Sequence, residues 1–164
     1  MKKHHYNIKT TWTGNEGKGT SHYKAYNRNH TILGSEKKIP ILASSDPSFL
    51  GDKTKYNPEE LFVSSISACH MLWYLHLCAS NKIIVTKYID NATGMMQELK
   101  NGSGKFESVV LHPIVTVANE KMKEKALALH NEAHKMCFIV NSCNFGITHQ
   151  ATIICMKENL KTKA

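Results

Sequence analysis

The chain predicts an α+β fold, and three observations carry that prediction. Residues 61–79 are a nearly unbroken apolar run placed directly behind a helix-start signal. Residues 122–136 set Met122, Ala126, Leu129, Ala133 and Met136 at spacings of 4, 3, 4 and 3, which is one face of an amphipathic helix. The stretches before and between these helices are β-rich and are broken by Gly- and Asn-rich turns. The order is strands, helix, hairpin, helix, strand, rather than alternating β-α-β.

The N-terminal strands are read around Gly14-Asn15-Glu16-Gly17-Lys18-Gly19, with His4 to Thr13 on one side and Thr20 to Leu33 on the other. Residues 34–55 carry Pro40 and Pro47 and read as loop, with one short strand at Ile39 to Ala43. The first helix is capped by Asn57, has Pro58 at its first position and Glu60 placed to reach back as in a capping box. Its apolar residues occupy nearly every side, so it is expected to be buried all round. Ile83 to Leu99 and Lys105 to Ala118 form strands about the turn Asn101-Gly102-Ser103-Gly104. Ile147 to Met156 reads as the last strand.

At 164 residues, with no Pro/Gly/Ser-rich linker and no repeat, one domain over residues 1–164 is expected. The start, MKKHHYNIK, leads into no apolar segment of the secretory kind. The run 61–79 contains Ser64, Ser65, Ser67, His70 and His76 and follows two glutamates, which favours a buried helix over a membrane span. A cytoplasmic protein without a membrane partner is the expectation. Of the 21 basic residues only Arg28 is an arginine, and the lysines are spread from end to end. That pattern fits a solvated surface and argues against nucleic-acid binding, which leans on arginine for phosphate and base edges.

Five cysteines (69, 78, 137, 143 and 155) are odd in number, widely spaced and without a CxxC pair. Neither a disulfide framework nor a zinc ribbon is expected, and reduced thiols remain. Cys69 and Cys78 would lie about 13 Å apart on opposite sides of one helix and cannot bond there. A partner for Cys69 must come from Cys137, Cys143 or Cys155, and spacing leaves the choice open. By itself Cys69 reads either as a small core residue or as a reactive thiol, and the latter needs a nearby cation. His70 points about 100° away around the helix.

Asn57-Pro58-Glu59-Glu60-Leu61 followed by Ser67-Ala68-Cys69 resembles the signature of the OsmC/Ohr family of thiol-dependent peroxidases acting on organic hydroperoxides. The resemblance extends to Tyr26-Asn27-Arg28-Asn29-His30, to Ser44–Pro47, to His-Met-Leu-Trp after the first cysteine and to Cys-Phe-Ile-x-Asn-Ser after the second, as in its OsmC-like peroxiredoxin branch. Two departures stand out: Phe138 where the wider family often has proline, and His70 where the hydroperoxide-resistance branch usually has an apolar residue.

The resemblance implies an OsmC-like fold, an antiparallel sheet wrapped around a long central helix. It implies that Cys69 attacks the peroxide, that Cys137 resolves the sulfenic acid as a Cys69–Cys137 disulfide, and that Glu59 holds Arg28, whose charge stabilises the thiolate. An external dithiol, small or carried by a lipoylated or thiol protein, would restore the pair, and no metal or organic cofactor is required. The alternative is a non-enzymatic thiol redox sensor or small-ligand-binding protein of the same fold. The apolar neighbours of Cys69 favour lipophilic hydroperoxides. A helix this apolar needs cover that one sheet does not supply, so an intertwined homodimer is expected. His130 and His134, at i,i+4, are read as a solvated face; Cys78, Cys143 and Cys155 as structural; Trp73 and Tyr74 as core or dimer contacts.

Overall fold

The computed structural model describes residues 1–155, so the end of the expected last strand at Met156 lies outside them. The chain divides into two compact units, residues 1–62 and a second beginning at Val63.

In the first unit, β1 (Ile8–Trp12), β2 (His30–Gly34) and β3 (Ile41–Ala43) form an antiparallel sheet in that order, with Trp12 opposite His30. The expected second strand from Thr20 is shorter than its sequence suggests, because residues 13–29 build a loop with its own hydrogen bonds. The Asn15 side-chain carbonyl accepts from the N–H groups of Gly17 and Gly19, and the Trp12 indole donates to the Asn27 carbonyl at 2.9 Å. Gly14 is required there: a Cβ would stand 1.9 Å from the Asn27 carbonyl oxygen.

The helix α1 (Pro58–Ser80) starts as its cap predicts. The Glu60 N–H donates to the Asn57 side chain at 2.7 Å, and the Asn57 N–H donates to the Glu60 carboxylate at 3.0 Å. By length and composition α1 is long and apolar enough to cross a membrane.

The second unit holds β4 (Val85–Asp90), β5 (Thr93–Glu98), β6 (Gly104–Leu111), β7 (Pro113–Val117), α2 (Lys123–Met136), β8 (Gly146–His149) and β9 (Thr152–Cys155). They make two sheets, β4-β7-β9 and β5-β6-β8. The hairpin pairings β5–β6 and β4–β7 are antiparallel, whereas β8 and β9 return parallel to β6 and β7. Each long β-rich stretch therefore breaks in two, and Asp90 ties the corner. Its carboxylate accepts from the His112 N–H at 2.7 Å and from the Ser67 hydroxyl at 2.5 Å. Gly94 lets β5 run close to the helix, since a Cβ there would meet a Val63 methyl at 2.7 Å.

Tyr74 and Cys78 of α1, Val115 and Val117 of β7, and Ala126, Leu129 and Ala133 of α2 form the core. The expectation that α1 is buried on every side is not met within one chain. Only Ile66, His70, Tyr74 and Cys78 are buried, a single stripe at four-residue spacing, and Leu72 is 63% exposed. The core of the second unit covers that stripe, and the remaining apolar residues of α1 are half-buried or exposed.

Candidate active site

The second unit brings Cys69 and Cys137 together. Cys69 is half-buried in the middle of α1, and Cys137 is fully buried where α2 ends. At Cys137 the backbone turns to an extended conformation, φ −69° and ψ 113°, and its N–H donates to the His134 carbonyl. The residues beyond fold back as a short 3-10 turn, Val140–Ser142, and the Asn141 N–H donates to the Cys137 carbonyl. The second thiol is thus carried on a closed corner rather than on a free loop.

The two sulfurs interact unequally. Burial pushes the Cys137 thiol up to about 12, and its hydrogen bond to Cys69 adds to this, while backbone N–H groups of Val140 and Ile139 act in the opposite sense. The Cys137 thiol thus stays protonated beside the Cys69 sulfur. Neither Cys69, Cys78, Cys137 nor Cys143 is in a disulfide. Cys143 is half-buried and donates to the Ile139 carbonyl, and Cys78 lies in the core beside Tyr74, so both fit the structural reading.

Aromatic side chains flank the pair. Trp73, one turn after Cys69 on α1, meets Phe138, the neighbour of Cys137, edge to face with ring centroids 5.5 Å apart. Phe138 is 65% exposed, so an apolar edge lies beside the sulfurs.

Glu59 and Arg28 belong to the first unit. Glu59 is half-buried in the first turn of α1. Arg28 is clamped by its own loop: its Nη1 donates to the Tyr26 carbonyl at 2.6 Å, its Nη2 to the Tyr23 carbonyl at 2.8 Å, and its guanidinium sits 4.3 Å from each of those two tyrosine rings.

The reading of His130 as part of a solvated face is overturned, because His130 is fully buried. Its Nδ1 lies 3.0 Å from Nε2 of the equally buried His70 on α1. The planes of the two rings differ by 6° and their centroids are 5.3 Å apart, so they lie edge to edge and share an in-plane hydrogen bond. His130 also stacks on Tyr74 at 3.8 Å, and the half-buried His149 of β8 stands 5.5 Å from His70 and 5.6 Å from His130. Burial, followed by the neighbouring imidazoles, lowers His70 to about 4 and His130 to about 3, so both are neutral near pH 7. The four rings, His134 included, do not form a group that could hold a metal ion among the described residues.

Comparison with known proteins agrees with the resemblance read from the sequence. A family model described as OsmC-like protein matches residues 51–152. The chain belongs to the OsmC-like family. Among solved structures, an OsmC-like protein of unknown function from Vibrio cholerae is 28% identical with a TM-score of 0.82, over 92% of this chain and all of that one. An organic hydroperoxide resistance protein from Elizabethkingia anophelis, with thiocyanate bound, is 23% identical with a TM-score of 0.65, over 94% of this chain and 99% of that one. An organic hydroperoxide resistance protein OsmC from Legionella pneumophila is 18% identical with a TM-score of 0.66, over 92% and 97% of the two chains. These last two likenesses concern the fold. No curated protein matches.

Proposed function

We propose that this protein is a cysteine-based peroxidase that reduces organic hydroperoxides to alcohols. The observation that carries the reading is the meeting of a buried Cys137 thiol with the more accessible Cys69. The buried thiol keeps its proton, and the more accessible Cys69 is the sulfur a peroxide can reach. Cys69 thiolate attacks the distal oxygen of ROOH; the O–O bond breaks, the alkoxide takes a proton and leaves as ROH, and Cys69 becomes a sulfenic acid. The Cys137 sulfur then displaces hydroxide from the sulfenic sulfur, its proton completing water, and the Cys69–Cys137 disulfide forms. An external dithiol reduces that disulfide by two exchange steps and is itself oxidised.

Arg28 supplies a permanent positive charge to the thiolate and the leaving oxygen, and Glu59 orients it. The protein acts as a homodimer, its second copy covering the uncovered sides of α1, where each Å² of apolar surface removed from water contributes about 25 cal/mol. Glu59 of one copy serves the Cys69 site of the other. The apolar edge at Trp73 and Phe138 favours lipophilic peroxides over hydrogen peroxide. Steady-state kinetics with cumene hydroperoxide, hydrogen peroxide and a dithiol test this reading: a higher kcat/KM for cumene hydroperoxide supports it, and an equal or higher value for hydrogen peroxide counts against it. Consumption of a single equivalent per subunit indicates a stoichiometric thiol sensor instead.

A further inference from the structure

Beyond the two sulfurs, α1 and α2 meet through a second polar contact. His70 directly follows Cys69 on α1, and His130 lies seven residues before Cys137 on α2. Seven residues are close to two helical turns, so His130 and Cys137 point to the same side of α2. Each cysteine therefore has, on its own helix, an imidazole aimed at the other helix, and the imidazoles bond at 3.0 Å.

The chemistry of this bond is restrictive. A neutral imidazole has one N–H and one bare nitrogen, so a neutral pair shares a single proton between Nε2 of His70 and Nδ1 of His130. The two outer nitrogens, His70 Nδ1 and His130 Nε2, are buried and meet no protein donor or acceptor among the described residues. The polar contribution of both side chains is thus concentrated in the contact between the helices, and Tyr74 holds the His130 ring in the plane that the contact requires. An apolar pair would pack there without fixing a distance; a directional hydrogen bond fixes both distance and rotation.

We propose that His70 and His130 are positioning residues for the resolving step, a strut that sets α2 on α1 so that the Cys137 thiol stays on the Cys69 sulfur. The inference rests on the peroxidase reading for its role in a catalytic cycle, but not for its test. Glutathione disulfide loads Cys69 without any peroxide: the Cys69 thiolate attacks one sulfur, glutathione leaves as thiolate, and Cys137 then displaces the second glutathione to close the Cys69–Cys137 disulfide. The position of that equilibrium measures how well the two thiols are held together.

The experiment determines the reduction potential of the Cys69–Cys137 pair against glutathione in the full chain, with thermal melts of every variant. Three variants are compared with the wild type: His130→Leu, which removes the bond; His70→Gln with His130→Asn, which places amide groups where Nε2 and Nδ1 stood and remakes one N–H···O bond; and Val109→Ala, a buried lesion on β6 outside the core cluster that joins α1 and α2. His130→Leu is expected to weaken the disulfide at least tenfold, an upward shift of about 30 mV. The amide pair should return to the wild-type potential, and Val109→Ala should melt earlier with its potential unchanged. Should His130→Leu not fold, His70→Gln alone and His130→Asn alone give the same reading against the amide pair, each single change being expected to weaken the disulfide more than the two together. An unchanged potential in folded His130→Leu, or in both single variants, overturns the inference, as does an amide pair that regains the melting temperature but not the potential. A wild-type protein that forms no Cys69–Cys137 disulfide removes both the inference and the peroxidase reading, and is distinguished from the former by the wild-type measurement alone.

Discussion

The Cys137 thiol is fully buried beside the sulfur of half-buried Cys69, and burial holds its pKa well above the usual thiol range. This relationship assigns unequal chemistry to two residues that composition treats alike, and it leads to the first prediction. Cys69→Ser should abolish peroxide reduction. Cys137→Ser should permit one turnover per subunit and then accumulate sulfenic or over-oxidised Cys69. Mass spectrometry after a mild peroxide pulse distinguishes these products; a disulfide of Cys137 with Cys143 in place of Cys69 would reverse the assignment.

Acid should unfold the protein through its buried imidazoles. In the unfolded chain His70 and His130 take up protons near 6.5, whereas in the fold they resist until about 4 and about 3, chiefly because of burial. The unfolded state therefore binds more protons below pH 6.5, and stability present above that value is lost as pH falls. The slope should approach about 1.4 kcal/mol per pH unit for each ring. Urea denaturation at pH 7.5, 6 and 5 checks the sign, and the His70→Gln/His130→Asn pair should flatten the dependence.

Gly94→Ala should destabilise the second unit by about 1–3 kcal/mol, the usual cost of overpacking. The added methyl would stand 2.7 Å from Val63 and 3.0 Å from Phe106. Gly146→Ala meets nothing within 4 Å and serves as the control. Equal urea midpoints for the two variants would contradict the close approach of β5 to the helix.

A shared site predicts complementation. Mixing Glu59→Ala with Cys69→Ser subunits should restore one working site per heterodimer, about half the activity of the wild-type dimer, if Glu59 of one copy serves Cys69 of the other. Sedimentation at micromolar concentration should show dimer, and an active monomer would contradict the expected second copy.

The sequence was legible where local chemistry decides the outcome. Asn57, Pro58 and Glu60 spell out the start of α1, and the capping box forms as expected. The spacing of Ala126, Leu129 and Ala133 identifies the buried side of α2. Pairing of Cys69 with Cys137 was not legible from spacing, because three cysteines were equal candidates until the family signature was considered. The break of β4 from β5 depends on Asp90 binding residues 22 and 23 positions away, which no local pattern reveals.

The histidine pair was missed for an instructive reason. Surrounding lysines and glutamates made His130 and His134 look solvated together, yet i,i+4 neighbours on a helix need not share one environment. His130 stands four residues after Ala126 and three before Ala133, which puts it on the apolar side. That spacing was the available signal.

The most direct test of the account is sustained turnover. Wild-type protein is mixed with excess cumene hydroperoxide and a dithiol, and peroxide loss is followed against Cys69→Ser. The account predicts many equivalents of hydroperoxide reduced to alcohol per subunit, with matching oxidation of the dithiol and none by the variant. Loss of no more than one equivalent per subunit, or turnover that survives Cys69→Ser, would contradict it.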